Sequence, residues 1–167
     1  LADRNSKSLQ SLADLAGILS ESVNLEQLLS DQSSLAFSGV WGSVRGLLAA
    51  ALAQKNLNLL MILPQAADAD IVAGDAMAFG LPESYALPLS STEFKASSIR
   101  DEDYAERLQV LQELRRRDDT SLQPMLVTSY VGGVMQRVPT PQQLESSTRR
   151  LKVGQTIDSE EIRKWLA

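Results

Sequence analysis

The amino-terminal stretch spaces leucine at positions 9, 12, 15 and 19, three or four residues apart, and again at 25, 28 and 29. That is the period of a helix with one apolar face. The interruption Glu21-Ser22-Val23-Asn24 predicts two short helices between residues 8 and 30 rather than one. Their apolar stripe needs a surface to lie on, and the rest of the same domain is the simplest one. Beyond the polar run 30–34 the pattern changes. Apolar runs at 35–40, 57–63 and 85–89 alternate with helical segments at 43–54 and 65–79, and Pro64 closes the second run. The run at 57–63 reads as a buried strand. Strand and helix in alternation imply crossover connections and a mainly parallel sheet with helices on both faces.

Residues 90–99 are serine-rich and read as irregular. A helix comes next, opened by Asp101-Glu102-Asp103 and closed by Arg115-Arg116-Arg117, so that both ends complement the helix dipole. Tyr104, Leu108, Leu111 and Leu114 give it an apolar face. Residues 125–129 form a buried strand entered through Pro124, leading into a short helix near 131–137. Pro139 and Pro141 punctuate the chain beyond that helix. The stretch 149–153 reads as a strand, with a turn at Gly154-Gln155 and a helix over about 158–166 capped by Asp158 or Ser159. The expected fold class is α/β: a three-layer, mainly parallel sheet flanked by helices. Its parts are a helical segment at 1–34, an α/β domain at 35–147 and a strand-helix entry into a further domain at 148–167. A helix that runs to the last residues suggests a piece of a longer polypeptide.

Composition narrows the chemistry. Among 167 residues there is no cysteine and no histidine, which excludes Cys/His zinc sites, disulfides and Ser-His-Asp or Cys-His catalysis. The 44% hydrophobic and 22% charged residues are those of an ordinary globular domain, and with only 5% aromatics the core must be built from Leu, Ala, Val and Ile. A net charge of -5 argues against autonomous nucleic-acid binding. It leaves Arg149, Arg150 and Lys152 as one local basic group, either a DNA contact or a charged strand edge. No apolar run approaches the roughly 18 residues of a membrane span, and the first residues are unlike a signal peptide. The expectation is a cytoplasmic chain with no membrane partner.

One motif carries chemistry. GVWGSVRG at 39–46 follows an expected strand and opens an expected helix, the setting of a phosphate-binding loop G-x-x-x-x-G-K-[ST]. Aligned on Gly39, the second glycine falls on Val44, the lysine on Arg45 and the magnesium-binding hydroxyl on Gly46. Val44 obstructs close backbone approach to phosphates, Arg45 keeps a charge with the wrong shape, and Gly46 offers the metal nothing. Neither 59–63 nor 125–127 ends in the acid that would hold magnesium. The loop therefore reads as a structural corner with no catalytic, metal or cofactor-binding residue, against the alternative of a divergent nucleotide-binding protein with Arg45 as its sensor. Asp68, Asp70 and Asp75 lack calcium-loop spacing and fall on a helix, a solvated face rather than a metal site. Thr92-Glu93-Phe94-Lys95 is no convincing nucleophile and base.

GVWGSVRGLL resembles the corrupted phosphate loop at the start of bacterial transcription-repair coupling factors (Mfd), which replaces the working loop of the UvrB helicase. YAERLQVLQEL at 104–114, LVTSYVGGVMQRVPTPQQL at 126–144 and LKVGQTIDSEEIRKWL at 151–166 resemble further segments of that family in the same order. The family's Leu-Pro-Tyr element is reduced here to Ala86-Leu87-Pro88-Leu89, without the tyrosine. The resemblance implies a degenerate P-loop, helicase-like fold, in which Gly39, Gly42, Ser43 and Arg45 are relics. It implies a non-catalytic module of an ATP-dependent DNA translocase that displaces stalled RNA polymerase and recruits excision repair. ATP and magnesium would belong to the parent's motor. UvrA would be met through the adjoining domain, and RNA polymerase and DNA through domains further downstream.

Overall fold

The computed structural model describes residues 9–31, 34–89, 102–117, 123–146 and 148–166. Three strands, β1 (Leu59–Leu63), β2 (Ser84–Ala86) and β3 (Leu126–Tyr130), form a parallel sheet in the order β1-β3-β2. Leu59 lies opposite Leu126 and Leu63 opposite Tyr130, while Ser84 pairs with Leu126 from the other side. Each crossover runs through a helix: α4 (Ala67–Ala78) between β1 and β2, and α5 (Glu102–Arg116) between β2 and β3. The mixed α/β class and the parallel sheet flanked by helices are thus present in a small, three-stranded form.

Alternation along the strands decides which helices each face meets. Leu59, Met61 and Leu126 face a layer made by α1 (Ala13–Ser22), α2 (Leu25–Asp31), α3 (Val44–Ala53) and α4. That layer is rich in alanine: Ala16, Ala49, Ala51 and Ala76 are fully buried, and so is Leu25. Small side chains let helix axes approach closely, which is how a chain so poor in aromatics fills its core. The amino-terminal helices pack on this domain, with Ala16 and Leu25 in the same cluster as Leu126. On the opposite face α5 sets Val110 and Leu111 against Tyr85, Leu87, Met125 and Val127.

Two expected strands do not form. Residues 35–40 are irregular, with Phe37 40% exposed. A strand exists only through its neighbours' hydrogen bonds, and this serine- and glycine-containing run has none in the sheet. Residues 149–153 are likewise irregular, and Val153 is fully exposed. The run expected as a buried strand at 57–63 is an edge strand covered on one face only, leaving Leu60 at 58% and Ile62 at 52% exposure.

The α5 helix is also rotated from the expected face. Its buried residues are Arg107 and Val110, whereas Leu114 is 41% exposed. Strand β3 runs into α6 (Val131–Met135), as expected. The serine-rich stretch 90–99, including Thr92-Glu93-Phe94-Lys95, lies outside the described residues.

The chain divides into two compact units, Leu1–Arg137 and Val138–Ala167. The second contains α7 (Pro141–Ser146) and α8 (Ser159–Leu166). Asp158 caps α8 by accepting the Glu160 N–H at 2.9 Å. The α7 helix opens with a reciprocal box, in which Thr140 Oγ1 accepts the Gln143 N–H and Gln143 Oε1 accepts the Thr140 N–H. Among the described residues no helix is long and apolar enough to cross a membrane.

Candidate functional site

The loop before α3 is shaped by glycine. Gly39 (φ 75°) and Gly42 (φ 50°) occupy the left-handed region that other residues enter only with strain. Trp41, between them, is 78% exposed. The chain then closes directly into the helix. The Val44 N–H donates to the Trp41 carbonyl at 3.1 Å and the Arg45 N–H to the Gly42 carbonyl at 3.2 Å. These are amides that an anion-binding helix start would point at its ligand. Here they are already engaged by the turn, and Ser43 makes no side-chain cap.

Arg45 turns back on its own domain. Its Nη1 donates to Asp68 Oδ2 at 2.9 Å, with both side chains about one-quarter exposed at 26% and 27%. Its Nε reaches the Gly42 carbonyl at 3.4 Å. Asp68, weighed in the sequence as a metal ligand, is thus the arginine's partner. Gly46 has a packing role. A Cβ there would lie 2.6 Å from Asp75 Cβ and 2.8 Å from the Ala76 nitrogen, so only glycine lets α3 cross α4 at this point. Asp75 Oδ2 is buried beside the crossing without a hydrogen-bond partner among the described residues.

The structure therefore brings Gly39, Gly42, Ser43 and Arg45 to one corner, but with no strand leading into it. Asp70 stands elsewhere, in a groove between α4 and α5. Among the described residues no group of three or more metal-ligating acids is gathered. In the second unit Arg149 is held by Glu161 at 2.7 Å.

The buried polar centre of the molecule lies at another corner. Arg107, 2% exposed, donates to the backbone carbonyls of Pro88 and Gly133, both at 2.9 Å, and of Gln136 at 3.2 Å. One guanidinium thereby ties α5 to the chain after β2 and to the middle and the carboxyl end of α6. Burial pushes its pKa below the ordinary arginine value. Beside it Ser129 Oγ donates to the Leu87 carbonyl at 2.8 Å, whereas Thr128 Oγ1, on the other face of β3, donates to the Ala69 carbonyl of α4 at 2.8 Å.

At the far end of β2 the Tyr85 hydroxyl donates to Glu83 Oε2 at 2.6 Å, which with burial pushes its pKa up to about 12. Glu83 also meets Arg117 at 3.2 Å. The signal for Arg107 was available in the sequence: it sits at helical spacing from Tyr104, Leu111 and Val110, inside the apolar arc. Helix-face reasoning ranks such an arginine as solvated, and so passes over it. No family model, curated protein or solved structure matches the chain.

Proposed function

We propose that this chain is a catalytically silent module derived from a phosphate-loop fold, serving as scaffold and regulator at the amino-terminal end of a transcription-repair coupling factor. The observation that carries the silent part is the internal use of the loop. Arg45 is neutralised by Asp68, the first helix amides are bonded to Trp41 and Gly42, and Gly46 is a helix-crossing contact where a metal-binding hydroxyl would stand. A corner so used supports packing and leaves no cradle for a nucleotide. The coupling-factor part rests on the ordered resemblances at 39–48, 104–114, 126–144 and 151–166. In this reading ATP hydrolysis, polymerase displacement and DNA translocation belong to the remainder of the parent, and UvrA is met through the adjoining domain.

Two measurements test it. Titration calorimetry with ATP and magnesium should give no binding heat; micromolar binding that Arg45→Ala abolishes would overturn the silent reading. In the cell, the native polypeptide should be several times larger than 18.2 kDa. Removing residues 1–150 from it should change its ATPase rate or its affinity for UvrA. Unchanged values for both would remove the regulatory role.

A further inference from the structure

The β2 strand is one edge of the sheet, and the helices on either side of it project past that edge. Between them lies a groove of about 630 Å³, walled by Asp70 and Met77 of α4 and by Glu106, Val110 and Glu113 of α5, with β2 as its floor. The ladder fixes what the floor presents. The Leu126 N–H donates to the Glu83 carbonyl and the Leu87 N–H to the Thr128 carbonyl, so residues 83, 85 and 87 face β3. By the alternation of a parallel ladder, Ser84 and Ala86 turn their backbone N–H and C=O groups into the groove. A slot floored by a strand edge and walled by a helix on each side fits strand addition.

Charge selects the occupant. The groove lining carries Asp70 and Glu106, together with Glu113, whose carboxylate is paired with Arg116 at 2.9 Å, and, among the described residues, no lysine or arginine. An entering strand should be basic, with apolar side chains to meet Met77 and Val110. This chain contains one: after Arg149, the run Arg150-Leu151-Lys152-Val153 alternates basic and apolar residues at the period of a strand, yet is irregular, with Leu151 56% exposed and Val153 fully exposed.

We propose that two copies of this chain associate by strand addition, residues 149–153 of one copy entering the acidic α4-β2-α5 slot of the other. Two-fold exchange fills each slot once and leaves no open edge at β2. The proposal uses neither the loop nor the parent polypeptide, and its test reads the 167-residue chain alone.

Sedimentation velocity of the full 167-residue chain over a range of concentrations tests it. The expected result is a reversible dimer that weakens as salt is raised. The double reversal R150E/K152E should weaken dimerisation at least tenfold, as should D70K/E106K on the exposed slot walls. Mixing the two reversed proteins should restore a one-to-one complex. Ala86→Pro, which removes an N–H that faces the slot while sparing the β3 ladder, should also give monomers with unchanged circular dichroism. A chain that stays monomeric at every concentration overturns the proposal. So does a dimer indifferent to both reversals, or a monomeric chain that binds a separate basic peptide in the slot.

Discussion

Two corners of this molecule lead directly into a helix, and they are built in opposite ways. The corner before α3 has the conspicuous sequence: two left-handed glycines, an exposed tryptophan and the arginine Arg45. The corner from β3 into α6 has no motif. It nevertheless holds a buried arginine, Arg107, with bonds to three backbone carbonyls, and the buried hydroxyl of Ser129. A polar group that leaves water must be satisfied or it destabilises the fold, so the second corner is where single substitutions should act most strongly. The first corner is bonded mostly through its own backbone and a partly exposed ion pair. A recognisable motif and a structurally demanding site are therefore different things in this chain.

The most severe way to break the contrast is at Arg107. Arg107→Met keeps the bulk and removes all the donors, leaving the carbonyls of Pro88, Gly133 and Gln136 without their partner. The expected loss is about 3 kcal/mol, read as a fall in the urea midpoint with unchanged slope. Arg107→Lys should lose less, since an ammonium reaches one or two of the same carbonyls. A midpoint for Arg107→Met within error of the parent would show that these oxygens recover water freely and that the corner is less closed than its burial suggests.

Next in size is Gly46→Ala. The added methyl meets Asp75 Cβ and the Ala76 backbone at 2.6 and 2.8 Å, and α4 backbone cannot yield as a flexible side chain would. Separating α3 from α4 should destabilise by about 2 kcal/mol. Gly42→Ala sharpens the point. Nothing lies within 4 Å of its Cβ, so only the positive φ resists, and about 1 kcal/mol is expected. Equal effects at the two glycines would mean that loop strain, rather than helix packing, governs position 46.

These glycines mark how far the sequence could be read. Helices α1, α3, α4 and α8 and strands β1 to β3 all stand close to where apolar spacing, Pro64 and Asp158 put them, because local periodicity determined them. The strand expected at 35–40 failed because pairing is a tertiary property that alternation cannot guarantee, and 149–153 failed in the same way. The orientation of α5 was missed for a related reason. Its leucines suggested one face, but the energy of satisfying Arg107 with distant carbonyls from residues 88, 133 and 136 turned another inward. The Thr140-Gln143 box was legible and passed over in favour of the two prolines beside it. At the loop, the altered positions 44–46 were plain, whereas the use of Gly46 as a crossing contact required α4 to be in place.

Tyr85 tests the packed side of the molecule by pH. Its hydrogen bond to Glu83 and its burial raise its pKa from 10.0 to about 12 in the folded state, so the folded chain holds this proton more tightly than the unfolded one. The resulting stability is complete below pH 10 and is lost as pH rises through about 12. Denaturant midpoints for the parent should fall over that interval. Tyr85→Phe, expected to be less stable by about 1 kcal/mol at neutral pH, should show a shallower fall. Parallel pH profiles for the two proteins would assign the alkaline loss to other groups.

The smallest effect is expected where the motif is. Arg45 and Asp68 are each about one-quarter exposed, so solvent screens their attraction, and Arg45→Ala should lower stability by less than about 1 kcal/mol. Asp68→Ala should do the same. The double variant should lose little more than either single one, because once one partner is gone the other has no ion pair left to lose. Salt sharpens the comparison with Arg107. Raising the ionic strength should shrink the Arg45 effect, because that pair is reached by counterions, and should leave the Arg107→Met effect almost unchanged, because its guanidinium is buried and its partners are neutral carbonyls. If the two arginines respond to salt alike, the distinction between a partly exposed ion pair and a buried tie fails, and the loop regains a claim to stabilise the fold.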